Sequence, residues 1–83
     1  MPPRLPRDIS GEDFVRLLRP YGFRLVRQHG SHIRLTAVID GVERHVTVPR
    51  HSGLRVGTLS SIVQQVAGYL GVERDALIDE LIG

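Results

Sequence analysis

Apolar residues along the chain recur with two different periods, and the change of period marks the boundaries between elements. Phe14, Leu17, Leu18 and Tyr21 repeat at helical spacing, and Ser10 followed three residues later by Asp13 has the form of a capping box. This predicts a first helix from about Gly11 to Arg19. Pro20, which disfavours helical geometry in the residue before it, and Gly22 end it. From Phe23 the pattern is that of strands. Phe23 to His29, the dipeptide Gly30-Ser31 and His32 to Val38 form a hairpin signal, since glycine at the first loop position suits a type II′ turn. Asp40-Gly41 is a type I′ signal, and Val42 to Val48 makes a third strand until Pro49 stops the ladder.

With two-residue loops the pairing register follows, and strand alternation then divides the side chains between two faces. Val26, Ile33, Leu35, Ala37, Val46 and Val48 fall on an apolar face that helices must cover. Arg27, His29, His32, Arg34, Thr36, Glu43, His45 and Thr47 fall on a polar face, with Phe23 and Leu25 as apolar exceptions at its far end. A bulge at Gly30 would shift this division by one residue and invert a strand. After a loop from Arg50 to Gly57, Thr58 is placed to cap a helix whose Leu59, Ile62, Val63, Val66, Ala67 and Leu70 form an unbroken stripe up to Gly71. A short acidic helix from about Glu73 to Ile82 closes the chain. The expected fold is therefore α+β: an α-β-β-β-α order as in double-stranded-RNA-binding domains, a three-stranded antiparallel sheet packed on helices, and an extra C-terminal helix.

At 83 residues, 41% of them hydrophobic, the chain has material for a single domain with one thin core. Its start, residues 1–9, is rich in proline and arginine and is expected to be flexible. Met1 to Arg7 lacks the apolar core of a signal peptide, and no stretch approaches the roughly 18 apolar residues of a membrane span. A cytoplasmic location without membrane contact is expected. Cysteine is absent, which removes disulfides, thiolate nucleophiles and cysteine-based zinc sites. All eleven basic residues are arginine. Residues 1–70 hold ten of them against five acids, whereas residues 71–83 hold one against four, so the basic character belongs to the main body and a polyanion suits it.

Several motifs sit at the strand ends. Gly22-Phe23, Arg27-Gln28-His29-Gly30-Ser31-His32, Val46-Thr47-Val48-Pro49-Arg50-His51 and Gly57-Thr58-Leu59 through Ile62, in this order and spacing, resemble the pattern of HicA (YcfA-like) toxins over about residues 10–80. The resemblance implies an endoribonuclease that cleaves messenger RNA without a metal or other cofactor and is neutralised by a cognate HicB antitoxin. It also implies that His32 is the catalytic histidine.

The chemistry of the residues supports that role separately. RNA cleavage begins with removal of a proton from the ribose 2′-hydroxyl, and imidazole titrates near neutrality. A hairpin mouth exposes His32, and Gly30, with Ser31 beside it, leaves room for a nucleic-acid backbone. Arg27, Arg34 and Arg50 are placed to hold the phosphate, and Thr58 at a helix start, with Arg50 and Arg55, forms a second phosphate-binding corner. His51 either positions its loop or serves as general acid or phosphate contact. His29 and His45 read as surface residues. Three other readings compete: a non-catalytic RNA-binding module, a protein-binding role alone, and a metal site built from His29, His32, His45 and His51, whose spacing matches no zinc motif.

Overall fold

In the computed structural model, which describes residues 8–82, the elements follow the order α-β-β-β-α-α. Helix α1 spans Gly11–Leu18 and tightens into a 3-10 turn at Arg19–Tyr21; the strands are β1 (Arg24–His29), β2 (His32–Ile39) and β3 (Val42–Pro49). Helix α2 spans Val56–Leu70 and α3 spans Arg74–Ile82. The sheet is antiparallel with β2 in the centre. The Ser10 hydroxyl accepts from the Asp13 amide at 3.0 Å, as a capping residue should. Both hairpin loops have two residues. Gly30 has φ 58° where a type II′ turn needs it, and Asp40 (φ 52°) and Gly41 (φ 78°) carry the two positive values of a type I′ turn.

One face of the sheet is covered and the other is open. Ile33, Leu35 and Ala37 from β2 and Val46 and Val48 from β3 are buried against Phe14 and Leu18 of α1, Leu59, Ile62, Val63 and Val66 of α2, and Leu77 and Ile78 of α3. The result is a two-layer slab 18 Å thick across its shortest axis. Among the described residues no charged or polar side chain is buried. The core therefore rests on apolar contact, at roughly 1.5–3 kcal/mol for each large side chain taken from water.

The structure departs from the expected register in β1. Pairing near the turn is as expected (Arg27 with Arg34, Gln28 with Ile33, His29 with His32), but it slips by one residue between Leu25 and Arg27, so that Leu25 opposes Leu35 and Arg24 opposes Thr36. The bulge lies at Val26 and not at Gly30. Val26, expected in the core, is 55% exposed; Phe23, expected on the polar face, is 1% exposed. The cause is size, because burying a phenyl ring removes more apolar area from water than burying an isopropyl group, and an edge strand tolerates a bulge. A second departure is the start of α2. Burial of Leu54 ends the preceding loop and the chain turns at once, so Arg55 occupies the N-cap and Thr58 lies in the first helical turn instead of capping it.

Of the proline-rich start, residues 1–7 lie outside the described residues. Ile9 is tied down: it packs against the core and its carbonyl accepts from the Leu54 amide at 2.8 Å. Next to it, Gly11 is a glycine for steric reasons. A Cβ there would overlap the Pro49 carbonyl oxygen and press on Arg50. Gly11→Ala is expected to cost about 1–3 kcal/mol, as overpacking does, read from the urea midpoint. An unchanged midpoint would show that α1 and the end of β3 can move apart freely.

Tyr21 joins α1 to α3. Its burial, and next the Glu80 carboxylate that accepts its hydroxyl, push its pKa from 10.0 up to about 12. The folded chain holds this proton more tightly than the unfolded chain, so the stabilisation is complete below pH 10 and is lost as pH rises toward 12. The sequence contains neither lysine nor cysteine. The melting temperature should therefore fall more steeply across that window in the wild type than in Tyr21→Phe; parallel curves would contradict the assignment.

Candidate nucleic-acid interface

The open face of the sheet is assembled by alternation. Along β2 the odd positions go to the core, which turns His32, Arg34 and Thr36 outward. Cross-strand pairing sets them in rows: His29, His32 and Pro49 in the first, Arg27, Arg34 and Thr47 in the second, Arg24, Thr36 and His45 in the third. Directly opposed residues in such rows have Cβ atoms about 4.5–5.5 Å apart. His32 thus stands at the mouth of the first hairpin, exposed, with His29 across from it and the Arg27–Arg34 pair one row away.

The remaining expected site residues divide into two groups. Gly30 and Ser31 form the turn beside His32, and the Ser31 carbonyl accepts from the Arg50 amide at 2.6 Å, which joins the β1–β2 turn to the end of β3. The Arg50 side chain points elsewhere: its Nε donates to the Glu12 carboxylate on α1 at 2.8 Å. Its charge is therefore partly matched within the protein. His51 is exposed, and its carbonyl accepts from the Gly11 amide at 2.9 Å, a positioning contact through the backbone. Arg55 is exposed at the start of α2. Thr58 faces a groove that also contains Arg34.

That groove, of about 620 Å³, runs between the outer edge of β3 and α2. Sequence reasoning missed it. It is lined by Arg34, His45 and Thr47 from the sheet and by Thr58, Ser61 and Gln65 from the helix. The signal present in the sequence was the polar spacing 58, 61, 65, which places these three on one side of a helix. His45, read from the sequence as a surface residue, is half-buried and held at Nδ1, 2.8 Å from the Thr36 hydroxyl, while its Nε2 lies 3.5 Å from the Glu43 carboxylate. It lies four residues along β3 from the His32 row, roughly 13 Å. Among the described residues no three histidine, aspartate or glutamate side chains converge as a metal site would require.

Electrostatically this face is unusual. Arg27 and Arg34 are like charges set directly opposite each other, and neither they nor Arg24 takes part in an ion pair among the described residues, whereas Arg16, Arg50 and Arg74 each have a carboxylate. Opposed like charges destabilise a sheet. Two unmatched guanidinium groups beside an exposed imidazole can hold a phosphodiester while the ring exchanges a proton with a neighbouring hydroxyl.

The chain is thus an α-β-β-β-α-α domain whose helices cover one face of the sheet and whose open face carries unpaired arginines and exposed histidines. The family model described as the HicA toxin of bacterial toxin-antitoxin systems matches residues 11–67, and the chain belongs to that family. It is a toxin of a toxin–antitoxin module. Neither a curated protein nor a solved structure matches the chain. No helix among the described residues is long and apolar enough to cross a membrane.

Relieving the Arg27–Arg34 repulsion should stabilise the free protein. Arg27→Gln is expected to raise stability by a few tenths of a kcal/mol at low salt and by less at high salt. A loss of stability in urea unfolding at low salt would contradict this account of the pair.

Proposed function

We propose that this toxin is a metal-independent endoribonuclease, an mRNA interferase, in which His32 removes the proton from a ribose 2′-hydroxyl. The 2′-oxygen then attacks the adjacent phosphorus and the bond to the 5′-oxygen breaks. This leaves a 2′,3′-cyclic phosphate and a 5′-hydroxyl, which takes its proton from a second imidazole or from water. Arg27 and Arg34 hold the non-bridging oxygens and stabilise the charge that builds on them. Gly30 and Ser31 keep the approach to the ring open. Arg50, His51, Arg55 and Thr58 contribute backbone and phosphate contacts farther along the strand. DNA binds to the same cations but lacks the reacting hydroxyl.

The observation that carries this reading is the position of His32, exposed on the open sheet face one row from an arginine pair that has no carboxylate partner. A buried ring, or one enclosed by acids, would remove the mechanism. The cognate partner is a HicB-type antitoxin that covers this face with acidic or apolar groups, blocking substrate while matching the charge. The toxin acts on cytoplasmic messenger RNA.

The test is cleavage of a long RNA in excess EDTA. His32→Ala should lower the rate by about 10²–10⁴-fold, the usual contribution of a general base, and abolish growth inhibition. Its RNA affinity should remain within about threefold of wild type, a difference of under roughly 0.7 kcal/mol. Undiminished cleavage by the variant would refute the assignment, and binding without cleavage by the wild type would make the chain a non-catalytic RNA-binding module.

A further inference from the structure

We infer that the groove between β3 and α2 is a base-reading subsite, which takes one unpaired RNA nucleobase beside the scissile phosphate and selects it through Gln65 and His45. The inference rests on the ribonuclease reading for the word scissile, but the binding it describes stands on the groove itself.

Position is the first argument. The groove begins at Pro49, the cross-strand partner of His32, passes Arg34 and reaches His45, so a strand whose phosphate lies on Arg34 carries its next base toward the groove. At about 620 Å³ it falls within the roughly 300–1,000 Å³ usual for small-molecule sites. Its lining is the second argument. Hydroxyls from Thr47 and Ser61, the Gln65 amide and the His45 ring present the donors and acceptors that read the edges of splayed-out bases, and Ile62 lends an apolar strip to a ring face. Ser61 and Gln65 are exposed and add nothing to the core.

Preorganisation is the third argument, and it identifies the selecting residue. The Tyr69 hydroxyl donates to the His45 carbonyl at 3.1 Å, so its oxygen is left as an acceptor. Gln65 must then present its NH₂ group to Tyr69, as it does at 2.9 Å, which leaves the Gln65 Oε1 and one N–H in a fixed orientation. His45 is fixed at Nδ1 by the Thr36 hydroxyl 2.8 Å away, and its Nε2, 3.5 Å from the Glu43 carboxylate, is left to meet a base. A side chain that merely faces water requires no such bracing, whereas a group that discriminates between bases does.

The experiment uses the full chain as His32→Ala, so that RNA is bound and not cut. Four short unpaired RNAs differing at one position are titrated while backbone amide shifts are followed. The expected result is shifts at Thr47, Ser61 and Gln65 that are larger and tighter for one base. Gln65→Ala should reduce the affinity ratio between best and worst base by about 5- to 100-fold, the range of a good contact to a base edge. Ser61→Leu, which fills the groove from an exposed position, should abolish the base-dependent shifts, with melting temperature as the check on folding. Shifts confined to the turn and the arginine rows, or equal for all four bases, overturn the proposal. In the His32-containing chain, Gln65→Glu should change the base preferred at the mapped cleavage ends. Base-selective shifts in a chain whose wild type never cuts RNA would support the subsite and remove the ribonuclease reading alone.

Discussion

The close approach of Gly11 to the carbonyl of Pro49 is the contact from which the arrangement of the site follows. Only a residue without a side chain lets the start of α1 lie against the end of β3. Once they touch, backbone bonds from Gly11 to His51, from Leu54 to Ile9 and from Arg50 to Ser31 close between three segments far apart in sequence. The Glu12–Arg50 pair spans the same seam on the surface. An exposed ion pair of this kind contributes roughly 0–1 kcal/mol, so the seam depends on the backbone bonds and on burial of Leu54. Its consequence is local order where a small domain would otherwise be loosest. The loop after β3 and the turn next to His32 are fixed to each other, and a side chain is only as well placed as the backbone beneath it.

A sheet covered on one side alone solves a problem of size. With 83 residues there is enough apolar surface for one layer of helices, and the second face must be left to water. Leaving it open also makes it available for recognition, and the side chains there are poorly matched to one another for a solvated surface. The opposed arginines weaken the free fold slightly. They become favourable when a phosphate chain lies across them, since each contact then releases counterions and satisfies a donor. The edge of β3 is managed differently: Tyr69 of α2 takes up the His45 carbonyl, and Arg44 lies over the Tyr69 ring at 5.1 Å. This shields the edge while keeping α2 far enough away to leave a polar groove.

The sequence was most legible where periodicity and turn chemistry agreed. Both hairpin turns, the central strand and the stripe of α2 could be read from alternation, from glycine positions and from helical spacing, and His32, Arg27 and Arg34 fall on one face as the register required. The misassignment in β1 has an instructive source. Phe23 and Val26 are separated by an odd number of positions, so a regular strand cannot turn both inward, and strict alternation favoured the wrong one. The conflict itself signals a bulge, and the larger ring wins. Thr58 was misread for a related reason: a good capping residue was preferred to the tertiary demand of Leu54, which starts the helix earlier. The groove was illegible because it depends on how far α2 stands from β3, which no local pattern encodes.

The reversal of charge along the chain acquires a spatial meaning in this fold. Helix α3 is held in the helical layer by Leu77, Ile78 and Leu81 and by Tyr21 against Glu80, so the acids of the C-terminal segment belong to the layer behind the sheet. The slab is 18 Å thick, about twice the Debye length of roughly 8 Å at physiological ionic strength. Carboxylates behind the sheet therefore do little to cancel the field in front of it, even though they bring the net charge down to +2. A chain of such modest net charge can therefore still present a basic sheet face to a polyanion. On the proposed function, that separation sets the orientation in which RNA approaches: it meets Arg24, Arg27 and Arg34 first, and the imidazole of His32 stands at the edge of that patch.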